Sequence, residues 1–113
     1  MRILWDERAW EEYLSRQKED KKTLKRINML IKDIQRSPYE GIGKPEPLKE
    51  NLSGWWSRRI DSANRVVYKV EGDTAIIASC KKSLQRLITA ANRLLRIQYR
   101  RFLTQSFFLT WRG

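Results

Sequence analysis

The chain has 113 residues, enough for one domain with a single modest core. Hydrophobic residues make up 41% and charged residues 33%, a balance that excludes intrinsic disorder, and no apolar run approaches the roughly 18 residues of a membrane span. There is no histidine and one cysteine, Cys80, so histidine acid–base chemistry, an internal disulfide and the usual ligand set of a zinc site are all excluded. The net charge of +11 is unevenly spread. Residues 1–80 carry 16 lysines and arginines against all 13 acids, whereas residues 81–113 carry eight and no acid. A mildly basic body with a strongly basic tail points to a polyanion or an acidic protein as partner.

Arg2 to Trp5 reads as a short strand. The start of the chain is not a signal peptide, because charge interrupts the apolar stretch at once; with a single cysteine, a cytoplasmic location is the simplest expectation. Asp6 suits a helix N-cap and Glu7 its first turn, while Ala9, Trp10, Tyr13 and Leu14 fall on one face, predicting a helix over 6–18. Asp20 can cap a second helix with an apolar stripe of Leu24, Ile27, Leu30, Ile31 and Ile34, stopped at Ser37-Pro38. Two helices so closely joined form an antiparallel hairpin. Lys21, Lys22, Lys25, Arg26, Lys32 and Arg36 cover the other sides of the second helix, either as a solvated surface or as a phosphate-contacting face.

Tyr39 to Pro47 reads as a loop in which Pro45 and Pro47 hold Glu46 on stiff backbone. Glu46 is then either a preorganised base or an ordinary surface glutamate. Gly54–Ile60 and Arg65–Val70 read as two strands joined by the turn-rich Asp61-Ser62-Ala63-Asn64. A register in which 58 faces 66 and 60 faces 64 sorts Trp56, Arg58, Ile60, Val66, Tyr68 and Val70 onto one apolar face. Trp55, Ser57, Arg59, Arg65, Val67 and Lys69 share the other, expected to be open, with Arg59 and Arg65 side by side. Arg58 is the exception on the apolar face and is expected near an edge. Trp55 or Trp56 could stack on a base or pack on the helices, whereas Trp5 and Trp10 read as core. A tight turn at Glu71–Thr74 leads into Ala75–Cys80, a strand apolar on both faces and therefore central, with Cys80 as a core residue.

Beyond Cys80, Leu84, Leu87, Ile88, Ala91, Leu94 and Leu95 follow a helical stripe, while Arg86, Arg93 and Arg100 recur every seven residues. Residues 83–103 read either as an amphipathic basic helix for RNA, an anionic membrane surface or the body of the protein, or as a frameshifted or read-through terminus. On the second reading, Phe107 to Trp111 is an accidental, aggregation-prone end.

The segment I-N-M-L-I-K-D-I-Q-R-S-P-Y-E-G-I-G-K-P-E-P-L-K, followed by N-L-S-G-W-W-S-R-R-I and N-R-V-V-Y, resembles the YoeB toxins, the Txe/YoeB branch of the RelE/ParE superfamily. The resemblance covers residues 1 to about 80. It implies an α+β fold like the microbial ribonucleases, with two N-terminal helices packed on a mostly antiparallel β-sheet, a toxin domain over 1–84 and a basic extension over 85–113. It also implies the toxin of a type II toxin-antitoxin system, a ribosome-dependent mRNA endoribonuclease needing no metal or other cofactor, neutralised by a YefM-like antitoxin; its partners are then the ribosome and mRNA, and a homodimer stays open. Glu46 matches the family's base and Arg65 its phosphate-holding arginine. Lys44, Lys49, Arg58 and Arg59 are the expected RNA-binding residues, of which Lys49 and Arg59 match basic positions near the family's site. Glu50 stands where relatives often have histidine, and Ser83 and Leu84 stand where the family closes with a histidine–tyrosine pair. Serine is a poor acid and Lys81 and Lys82 are weak ones at neutral pH, so the resemblance implies either an impaired nuclease or a toxin homologue that binds antitoxin or ribosome without cutting. Gyrase inhibition, as in ParE relatives, is disfavoured by Glu46 and Arg65.

Overall fold

The computed structural model describes residues 1–81 and the backbone of Leu109–Trp111. Its elements are β1 (Arg2–Trp5), α1 (Glu7–Glu19), α2 (Lys21–Arg36), β2 (Glu46–Pro47), β3 (Trp55–Arg59), β4 (Arg65–Glu71), β5 (Thr74–Ser79) and β6 (Leu109–Trp111). Side-chain oxygens start both helices. The Asp6 carboxylate accepts from the Arg8 amide at 3.2 Å, and Asp20, the single residue between the helices, accepts from the Thr23 amide at 3.0 Å. The Ser37 amide closes α2 on the Asp33 carbonyl, and Pro38 prevents another turn. Tyr13 Oη donates to Asn28 Oδ1 at 2.7 Å across the antiparallel hairpin.

The helices cover one face of a sheet ordered β2-β3-β4-β5-β1-β6. Only β1 and β5 run parallel among the described pairs; the rest are antiparallel, as expected. The β3–β4 register is the one the side-chain sorting selects, with Arg58 opposite Val66 and Arg59 opposite Arg65. Asp61 Oδ1 shapes the intervening turn by accepting from the Ala63 and Asn64 amides at 2.8 and 2.7 Å. The main core lies between helices and sheet: Ile3, Trp5, Ala9, Tyr13, Ile27, Leu30, Ile31, Ile34, Val66, Tyr68 and Ile77, with Cys80 beside them. Trp10 packs its ring edge-on to Trp5 with centroids 5.5 Å apart. β5 is central and buried on both faces.

Two expectations change. The sheet face away from the helices is not simply open and polar. Trp55 and Val67 are buried there with Ile76 and Ala78, against Leu4 and Leu48, because the doubly apolar β5 presents a second hydrophobic row. Trp55 is therefore not free to stack on a base, while the half-buried Trp56 packs on the main core and sits 4.7 Å from the Tyr39 ring. The expected helix over 83–103 and the Ser83–Leu84 pair lie outside the described residues. Of the terminal apolar run, Leu109–Trp111 forms β6 and pairs with β1, Trp111 opposite Ile3.

Leu30 is fully buried at the junction of α2, β3 and the following loop. We expect Leu30→Ala to lower the unfolding free energy by roughly 2–5 kcal/mol with little change in denaturant m-value. A loss below 1 kcal/mol would mean that the helix–sheet core is not the principal source of stability.

Candidate active site

Strand β2 is two residues long and lies on the sheet edge, where a proline without an amide hydrogen is tolerated. It pairs with β3, Glu46 opposite Ser57 and Pro47 opposite Trp56. Bonds on either side extend the pairing: the Arg59 amide donates to the Gly43 carbonyl at 2.7 Å and the Leu48 amide to the Trp55 carbonyl at 2.8 Å. Glu46 is thus held on sheet geometry as well as between two prolines.

Alternation along β3 decides what faces the site. Ser57 and Arg59 point away from the helices, as do Arg65 and Val67 opposite them. On this face Arg65 Nη1 lies 3.4 Å from Glu46 Oε2 and donates to Ser57 Oγ at 3.2 Å. The Glu46 side chain is 61% exposed and Arg65 28%, so this ion pair is worth at most about 1 kcal/mol and an incoming phosphate can open it. Arg59 is the direct cross-strand neighbour of Arg65. Like charges placed opposite each other repel, and an anion between them relieves the repulsion. A base candidate, a guanidinium and a buried hydroxyl that orients it therefore meet at one edge, with a second arginine at the position opposite.

The other sequence-derived residues divide. Lys44 is exposed and takes a left-handed backbone, φ 51°, uncommon for a residue with a side chain. Lys49 and Glu50 are exposed just beyond β2, around a single 3-10 turn at Glu50–Leu52, and Glu50 also has a positive φ of 56°. Both lysines flank Glu46 along the chain. Arg58 is corrected in part: it lies on the strand beside the edge strand, as expected, but it is not available to RNA. It is fully buried on the helix side of β3. Its guanidinium pairs with Asp33 of α2 and donates to the carbonyls of Ser37 at 2.6 Å, Glu40 at 2.9 Å and Ile42 at 3.2 Å, while Nε donates to Tyr68 Oη at 3.1 Å. Every arm of the fork is occupied, which offsets the cost of burying the guanidinium.

Asp33, Tyr68 and Ser57 are functional-site supports that sequence reasoning did not single out. Asp33 accepts from Arg36, Arg58 and the Ile42 amide, the last at 2.8 Å. Burial pushes its carboxyl up, but the Ile42 amide and the two guanidinium groups outweigh that and hold it below the usual carboxylate range. Tyr68 Oη donates to the Pro38 carbonyl at 2.6 Å. Gly41 and Gly43 pass so close that side chains would not fit: a Cβ would lie 1.9 Å from Asp33 Oδ2 at the first and 2.6 Å from Leu30 Cδ2 at the second. Across the sheet, Glu46, Ser57, Val67 and Ser79 form one row, so β5 ends level with the site. There Glu12 accepts from the Cys80 amide at 3.1 Å and from Ser79 Oγ at 3.2 Å; burial raises its carboxyl. Burial also pushes the Cys80 thiol far up, which leaves it inert, as expected of a core cysteine. Among the described residues no group of histidine, cysteine or carboxylate side chains could hold a metal, and no helix is long and apolar enough to cross a membrane.

Two helices lie on one face of a mixed sheet, and a glutamate and an arginine meet at its edge, in a small α+β domain. Residues 5–84 match the family described as YoeB-like toxin of bacterial type II toxin-antitoxin system. The chain is 54% identical over 81 residues to Toxin YoeB of Escherichia coli K12, covering 72% of this chain and 96% of that one. It is similar to the toxin in a YoeB-YefM complex from Staphylococcus aureus, with TM-score 0.69, 48% identity and coverage of 72% and 94%. It is also similar to a YoeB dimer from the same organism, with TM-score 0.70, 48% identity and coverage of 74% and 97%. The chain belongs to the YoeB-like toxin family and is a toxin of the type II toxin-antitoxin class.

The depressed Asp33 carboxyl gives a signed pH dependence. Its contribution is present in full above the unfolded carboxyl range, about pH 4, and is lost as pH falls through the lower folded value. We expect Asp33→Ala to destabilise by roughly 3–5 kcal/mol at pH 7, because it strands the Arg58 charge. Denaturant titrations from pH 7 downward should show the gap to wild type closing below about pH 4. A gap independent of pH would contradict the pairing.

Proposed function

We propose that this toxin is a ribosome-dependent endoribonuclease that cuts mRNA without a metal ion, in the cytoplasm, with its activity reduced by the loss of the family's terminal acid. The meeting of Glu46 and Arg65 at the sheet edge is the observation that carries this reading. Glu46 takes the proton of a ribose 2′ hydroxyl, whose oxygen attacks the adjacent phosphorus. Arg65, oriented by Ser57, and Arg59 stabilise the charge of the pentacoordinate phosphorane, since each guanidinium offers paired donors to phosphate oxygens. Lys44 and Lys49, exposed on either side, bind flanking phosphates. The bond to the 5′ oxygen then breaks, and that oxygen needs a proton. With serine and leucine at positions 83 and 84, the family's histidine–tyrosine donor is missing, and water protonates that oxygen in a slow step.

A second reading rests on the same substitution: a toxin that occupies antitoxin or ribosome without cutting. The relatives' solved forms, a YoeB-YefM complex and a YoeB dimer, support a YefM-like antitoxin as partner and a homodimer as an assembly in either case.

Single-turnover cleavage of an mRNA on programmed ribosomes separates the two. Slow cleavage by the wild-type chain is expected, reduced a further ~10²–10⁴-fold by Glu46→Gln and comparably by Arg65→Ala. Full activity unaffected by either substitution would contradict both halves of the mechanism. The variant carrying Ser83→His and Leu84→Tyr with a stop after residue 84 should cut faster than wild type; no gain would place the deficit elsewhere.

A further inference from the structure

We propose that Arg58 is a positioning residue that sets the reactivity of Glu46 by fixing the loop from Ser37 to Gly43; the inference rests on Glu46 acting as the base. The loop has no secondary structure of its own to hold it. Its carbonyls are held instead by side chains of the core. Arg58 takes Ser37, Glu40 and Ile42, and Tyr68 takes Pro38. Asp33 closes the set by binding both Arg58 and the Ile42 amide. The loop then runs through Gly43, pinned to the Arg59 amide, into the stiff Pro45-Glu46-Pro47 segment. From the last carbonyl that Arg58 holds to Glu46 is four residues, and two of the intervening positions have positive φ and one is a proline. Little slack separates the anchor from the base.

Strand alternation ties this anchor to the phosphate-binding face as well. Arg58 sits between Ser57 and Arg59 but points the opposite way. One strand thus positions the loop with its inner side chain and presents the hydroxyl and guanidinium of the site with its outer ones. A purely stabilising role is poorly served by a buried arginine, because a well-packed apolar residue of similar volume is usually as good or better. What a guanidinium adds is a rigid planar fork with donors in several directions, which suits three carbonyls of one loop and a carboxylate.

Two variants test this. Arg58→Lys keeps the charge facing Asp33 but cannot reach three carbonyls. Tyr68→Phe keeps the ring and removes only the hydroxyl that joins Arg58 to Pro38. Each is made in the full chain alone and together with Glu46→Gln, and single-turnover mRNA cleavage is measured on programmed ribosomes at saturating toxin. Arg58→Lys should slow the maximal rate by on the order of 10²-fold, with the toxin concentration for half-maximal rate little changed. Tyr68→Phe should slow it less. In the Glu46→Gln background both should cost almost nothing more, since a base that is absent cannot be misplaced. Amide hydrogen exchange on the same proteins decides the matter where turnover is slow or Arg58→Lys does not fold: in Tyr68→Phe, exchange at Ile42 and Arg59 should accelerate while the α2 core keeps its protection. Losses of equal size in both backgrounds, or unchanged exchange in Tyr68→Phe, would overturn the proposal and leave Arg58 a core residue. Glu46→Gln as active as wild type would sink the base assignment itself, and this inference with it.

Discussion

The rest of the molecule hangs on a charged pair inside the core, Asp33 of α2 with Arg58 of β3. Taking two ions out of water is costly, and their attraction offsets the cost only when every remaining donor and acceptor is used. Here that condition is met. The Asp33 oxygens bind two guanidinium groups and one amide, and the Arg58 fork reaches three loop carbonyls and a tyrosine hydroxyl. The pair therefore joins three parts of the chain at one point: the last turn of α2, the loop that follows it, and the strand against which that loop lies. Gly41 and Gly43 are needed because the loop passes so close to this cluster.

Built outward from that point, the edge of the sheet becomes a place where charge can be used. On the inner face of β3 the buried Arg58 has every donor bonded, while the outer face carries Ser57, Arg59 and, from β4, Arg65. Glu46 arrives on a two-residue strand that exists because β3 pairs with it. The ion pair it makes with Arg65 is weak and exposed, so the proposed exchange of either group for a substrate costs little. The apolar row of Trp55, Val67, Ile76 and Ala78 backs this polar edge and keeps the outer face from being uniformly solvated. The match to the YoeB-like family ends at residue 84, so the basic remainder of the chain adds charge to a toxin whose core the relatives share.

Much of this was legible in the residues. Asp6 and Asp20 cap the helices because the short carboxylates stand where amides need acceptors, and Ser37-Pro38 ends α2 for a backbone reason. The β3–β4 register followed from sorting side chains by polarity, and it put Arg59 beside Arg65 and Arg58 on the apolar face. Arg58's placement was thus legible but its meaning was not. Its partner Asp33 lies 25 residues away in sequence, beside the stripe of Leu30, Ile31 and Ile34, and pairing across such a gap is a tertiary fact. A lone acid on the flank of an apolar stripe, combined with a lone arginine on an apolar strand face, is the signal that could have joined them. The outer hydrophobic row was missed because Trp55 and Val67 were sorted with their polar neighbours. The doubly apolar β5 was the clue that both faces of the sheet would be covered.

The ends of the RNA products test the central claim, that Glu46 drives attack by the substrate's own 2′ hydroxyl, most directly. Attack from within the RNA leaves a 2′,3′-cyclic phosphate on one fragment and a 5′ hydroxyl on the other. The account predicts these ends from the wild-type chain acting on ribosome-bound mRNA, and their disappearance in Glu46→Gln. Products with a 3′ hydroxyl and a 5′ phosphate, or cyclic phosphate formed equally well without the Glu46 carboxylate, would contradict it.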